Sequence, residues 1–140
     1  MAALAAVAGI AGVVSAQGRP LATDLTGSEE APGPGDADAT GMARLTLNQG
    51  RGEVCFDLSW ADIDGTVVAA HIHEAAPGVP GPVEVGLFMG TMFDGTDSAS
   101  GCVEADGSVI KEIRQDPSAY YVNVHSDVFP AGAVRGQLGD

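Results

Sequence analysis

Apolar residues recur along most of this chain with a period of two. In Glu53–Trp60, Val54, Phe56, Leu58 and Trp60 share one face, and Glu53, Cys55, Asp57 and Ser59 share the other. That is the alternation of a half-buried strand. Thr40–Leu47 alternates as well, with Met42, Leu45 and Leu47 apolar among small or polar neighbours, and Asn48-Gln-Gly50 after it reads as a hairpin turn. Thr23–Gly27 is expected as a first edge strand. Thr66–His73, Val83–Phe88, Ser98–Glu104, Tyr120–His125 and Ala133–Leu138 have the length and composition of further strands. The prolines of Ser28–Asp38 exclude a central strand there. Asp62–Gly65 reads as a turn, Pro77–Pro82 as a rigid loop and Thr91–Asp97 as a polar loop. One stretch changes period: Val109, Ile110 and Ile113 stand at helical spacing within Ser108–Gln115, and Asp106 is placed to cap it. Seven or eight short strands with one helical insertion predict an all-β, antiparallel sandwich.

Composition narrows this picture. The 140 residues suit one domain. Twenty glycines and eight prolines leave little room for long helices. Aromatic residues are only 5%, so Val, Leu, Ile and Ala must build the core, with Trp60, the one tryptophan, inside it. Nineteen acidic residues against six basic ones give a net charge of −13, which argues against nucleic acid or an anionic membrane as partner.

Residues 1–16 carry no charge and close on Val14-Ser15-Ala16, the small-residue pattern of a signal-peptide cleavage site, although no basic residue follows Met1. The run is too short to span a bilayer. A signal peptide over 1–16, a lead-in over 17–22 and a domain over 23–140 are the expected organisation, with a secreted or extracytoplasmic location. Two cysteines in such a chain, Cys55 and Cys102, read as one disulfide; two separate buried thiols are the plainer alternative. On the chain-entropy model, closing a loop of roughly 48 residues stabilises the fold by about 4 kcal/mol.

The chain has three histidines, and two form His71-Ile72-His73. Residues two apart on a strand project from the same face, so both imidazoles point one way. His125 ends a second strand-like run. If those strands are neighbours, three imidazoles converge as a donor set for copper, with zinc the second choice; the plainer alternative is a polar strand face. Glu74 and Asp127 flank the histidines as candidates for an oxygen ligand or as solvated carboxylates. Asn123 is expected to satisfy backbone groups or to orient an imidazole. Of Tyr120 and Tyr121, one is expected in the core and one exposed. Ser126 and Asp127 beside His125 do not make a nucleophilic triad by adjacency, and the chain has neither a Gly-x-Ser-x-Gly elbow nor a phosphate loop.

Five segments occur in order: Leu25-Thr-Gly-Ser-Glu-Glu-Ala-Pro32, Ala69-Ala-His-Ile-His73, Gly78-Val-Pro-Gly-Pro-Val83, Tyr121-Val-Asn-Val-His125 and Gly132-Ala-Val-Arg-Gly-Gln-Leu138. Together they resemble the CHRD domain, the module of chordin and of many bacterial exported proteins. The resemblance implies a Greek-key, Ig-like β-sandwich with a layout like that of Cu/Zn superoxide dismutase. It also implies that His71, His73 and His125 are copper-type ligands. The chain lacks the further histidines that the dismutase uses for its bridge and its zinc, and it has no identifiable cationic channel, so binding is expected rather than catalysis. Arg135 would then either guide anions or, as its expected role, hold the last strand structurally. The alternative function is a non-catalytic extracellular module that binds a protein or polysaccharide, with structural histidines.

Overall fold

A computed structural model describes residues 19–90 and 97–139. The expected leader over 1–16 and most of the polar loop over 91–97 lie outside the described residues. Eight strands follow in chain order: β1 Arg19–Thr26, β2 Thr40–Asn48, β3 Glu53–Ala61, β4 Val67–Glu74, β5 Val83–Met89, β6 Ser98–Glu104, β7 Tyr120–Ser126 and β8 Val134–Gln137. The helix α1, Gly107–Gln115, lies between β6 and β7. All pairs are antiparallel, in one sheet of order β5-β4-β7-β8-β1-β2-β3-β6. The sheet curls until its two ends, β5 and β6, approach one another, so the fold is all-β, nearly closed, with one short helix. The non-sequential neighbours β3·β6 and β4·β7 are its Greek-key crossovers.

The period-two pattern explains which side faces in. Val54, Phe56, Leu58 and Trp60 of β3 are buried, as are Leu45 and Leu47 of β2. Leu25, Ile72, Val122, Val124, Val134 and Leu138 join them in one core. The Asn48–Gly52 hairpin turns where expected, with Gly52 at φ 61°, a conformation that glycine adopts without steric cost. The Asp106 carboxylate accepts the Ser108 N–H at 2.7 Å and starts α1, which buries Ile110 and Ile113 against the core. Cys55 and Cys102 stand directly opposite on β3 and β6 and form a disulfide.

Two expectations change. The first strand begins at Arg19 and is not an edge: it lies between β2 and β8, meeting the latter at Thr26↔Arg135. Its second neighbour comes from the far end of the chain, which local pattern does not reveal. Tyr120 and Tyr121 are both buried, because a loop and Arg135 cover the face on which Tyr121 projects.

Candidate metal centre

The strands β4, β7 and β8 lie side by side, and their register builds the site. His71 pairs with Asn123 and Asn123 with Arg135; His73 pairs with Tyr121 and Tyr121 with Gln137; Ala69 pairs with His125. Ile72, Val122, Val124 and Val134 point into the core, so alternation sends these polar partners to the outer face of the sheet. The loops after β4 and β7 fold over that face.

Each loop fixes one imidazole through a backbone carbonyl. His73 Nδ1–H donates to Gly81 O at 2.9 Å, and His125 Nδ1–H donates to Pro130 O at 3.0 Å. A carbonyl only accepts, so both rings carry a proton on Nδ1, and in the neutral form of each ring it is Nε2 that presents a bare lone pair. Those two Nε2 atoms lie 3.0 and 2.9 Å from one atom, Asn123 Oδ1. His71 Nδ1 lies 3.1 Å from His125 Nε2. One ligand atom from each histidine falls within 4.8 Å of the other two. Burial pushes His71 down from its usual 6.5 to about 4, with the neighbouring His125 and His73 adding to the effect. Burial also lowers His125, against the opposing hydrogen bond to Pro130. Both imidazoles are therefore neutral near pH 7, the form that ligates metals.

The surroundings hold this arrangement rigid. The His73 ring stacks on Tyr121 at 4.8 Å between centroids, and the Tyr121 hydroxyl accepts the Gly81 N–H at 3.1 Å. On Tyr121 sits the Arg135 guanidinium, 3.4 Å from the ring centroid. Arg135 is 1% exposed and donates to Val79 O at 2.8 Å and Ala76 O at 2.9 Å. Gln137 Nε2 donates to Ala75 O at 2.7 Å and Ser118 O at 2.8 Å. These bonds tie the Ala75–Gly81 loop to β8, so the carbonyl that orients His73 is itself held.

The flanking carboxylates are not brought in. Asp127 Oδ1 accepts the Thr66 N–H at 2.8 Å and closes the turn before β4. Glu74 follows His73 by one position, so it projects from the opposite face, and it is exposed. The acid that does reach the site is Glu30, from the loop after β1. It is 8% exposed, and burial raises it from 4.5 to about 7, against the opposing Arg135 charge and hydrogen bonds from the Ala31 backbone and the Asn123 side chain. Its only advance signal was its place in the Leu25–Pro32 segment.

In class, this is an eight-stranded Greek-key β protein with a polar cluster under loops on its outer face. The CHRD domain family model matches residues 21–138, and the chain belongs to that family. No curated protein and no solved structure matches it.

Proposed function

We propose that this domain is an exported binder of one transition-metal ion, copper by preference and zinc as second choice. His71, His73 and His125 would be the ligands, and Asn123 Oδ1 would supply an oxygen. The observation that carries this reading is the pair of Nε2 atoms, on rings whose Nδ1–H groups are spent on carbonyls, packed against one amide oxygen. A proton on His71 Nδ1 serves His125 Nε2 alone, whereas a cation among them serves both nitrogens and the oxygen. The separation between His71 Nδ1 and His125 Nε2 is close to the roughly 3.3 Å that two nitrogens span on a tetrahedral ion with bonds of about 2.0–2.1 Å. The carbonyls of Gly81 and Pro130 play the outer role that metal-bound imidazoles require, fixing tautomer and ring orientation. Imidazole donors favour Cu(II) in the affinity order. When bound, such an ion supplies Lewis acidity and, if copper, a one-electron couple.

Export is supported by the disulfide, which persists in oxidising compartments, and by the family. No described helix is long and apolar enough to cross a membrane.

Calorimetric titration of residues 17–140 with Cu(II) and Zn(II), with elemental analysis, tests the proposal. One equivalent that disappears in His125→Ala is the expected result. No binding, or binding indifferent to that substitution, overturns it. A second reading, a module docking an extracellular protein or polysaccharide, draws on the exposed Val79 and Val128 in the two loops over the site. It predicts that no metal binds.

A further inference from the structure

Glu30 is a buried acid that the three-histidine set does not use. Its Oε1 is fully buried and has no hydrogen-bond partner among the described residues, an arrangement that lowers stability. Three separate segments meet around this carboxyl group. Gly132 stands at φ 136°, and a Cβ there would strike the carboxyl atoms themselves. A Cβ on Gly35 would lie 2.8 Å from Glu30 Cγ. Arg135 supplies the nearby positive charge, and the Asn123 side chain hydrogen-bonds the carboxyl group. Space has been cleared for an acid, and a cation and an amide are turned toward it, at the cost of an unpaired oxygen.

The amide of Asn123 has two different ends, and Glu30 decides which way they point. Carboxyl oxygens accept, and Asn123 Oδ1 is already at the histidines, so the end left to face Glu30 is Nδ2–H. The opposite end, Oδ1, then faces His73 Nε2 and His125 Nε2. Turned the other way, the amide would donate its own N–H groups to those nitrogens, occupy their lone pairs and close the site.

We propose that Glu30 is a positioning residue of the metal centre: it locks the Asn123 amide with Oδ1 toward the histidines, completing a three-nitrogen, one-oxygen donor set that favours a divalent ion over Cu(I). This rests on the metal reading above and adds a residue and a selectivity to it. The selectivity follows from ligand hardness, because an amide oxygen suits Zn(II) and Cu(II) better than it suits the soft monovalent ion.

The chain has two asparagines, Asn48 and Asn123, so a domain carrying ¹⁵N only at asparagine shows two side-chain amide pairs by NMR. At pH 8, Zn(II) should move the Asn123 pair and saturate at one equivalent. In Glu30→Gln, whose amide can present either end, Zn(II) and Cu(II) affinity should fall at least tenfold while Cu(I) affinity stays within about twofold. The Cu(II) paramagnetic resonance spectrum should lose its oxygen-donor character, and Glu30→Asp should recover part of the loss. Wild-type protein that takes up no Zn(II) overturns the metal reading before any variant is made, and this inference with it. Wild-type protein that binds one Zn(II) while its Asn123 pair stays still overturns the inference alone, as does folded Glu30→Gln with unchanged affinities and spectrum. If Glu30→Gln does not fold, the wild-type amide shift decides.

Discussion

The two faces of strands β4, β7 and β8 obey different rules. On the inner face Ile72, Val122, Val124 and Val134 belong to one apolar cluster, and an apolar side chain of similar volume would satisfy their surroundings. On the outer face His71, His73, Tyr121, Asn123, His125, Arg135 and Gln137 nearly all hold a named partner at hydrogen-bonding or stacking distance. Both faces come from the same two-residue rhythm of backbone. The inner face makes the domain fold, and the outer one makes it particular.

Substitutions can pull the two faces apart. The largest loss is expected on the outer one. Arg135→Ala strips the Val79 and Ala76 carbonyls of their donor, leaves Glu30 without its cation and empties a fully buried guanidinium site, so stability should fall by about 3–5 kcal/mol. A drop under 1 kcal/mol by urea unfolding would show that the polar layer is ornamental. Ile72→Ala on the inner face should cost roughly 3 kcal/mol through the cavity it leaves. Metal stoichiometry should survive at temperatures where the variant is folded; its loss would mean the faces are not separable. His71→Ala should do the reverse, removing metal binding while changing metal-free stability by less than about 1 kcal/mol, since this ring is only half-buried.

The smallest effect is in pH dependence. His71 stays neutral in the native state down to about 4, whereas unfolded it takes up a proton near 6.5. Its contribution to stability is therefore full above 6.5 and is lost as pH falls toward 4. Glu30 has the opposite sign. Its contribution is full below 4.5 and is lost as pH rises through about 7. Between 4.5 and 6.5 the two slopes oppose each other. In chelator, Glu30→Gln should lose more stability than the wild type as pH falls across that window, and urea midpoints at three pH values measure this. Parallel lines for the two proteins would rule out the opposition.

Strand positions and the convergence of the histidines were legible because both follow from a period of two. His71 and His73 had to share a face, and Val54 to Trp60 had to share another. The neighbour relation of β4 and β7, which brings in His125, could be posed from sequence only as a condition. The groups that aim the rings were out of reach. Gly81 and Pro130 act through carbonyls that every residue possesses, so no side chain advertises them. Asn123 was expected either to satisfy backbone groups or to orient an imidazole; its Oδ1 lies beside two. Glu30 is one of 19 acids, distinguished only by a loop path that depends on the whole fold. Glu74 and Asp127 drew notice through sequence proximity; Glu74 is turned to the far side of β4, and Asp127, past the end of β7, closes the turn before β4 instead.

The nearly closed sheet has one seam, and its two lips are not equal. On one side β6 is riveted to β3 by the Cys55–Cys102 bond. On the other, β5 is held to β4 by a ladder interrupted twice, between Ala70 and His71 and between Ile72 and His73. When the barrel breathes, β5 is the lip that should lift. Amide hydrogens along Val83–Met89 should then exchange with solvent sooner than those of Ser98–Glu104. The strand it uncovers carries two of the three histidines, so the lip expected to lift borders the candidate metal centre.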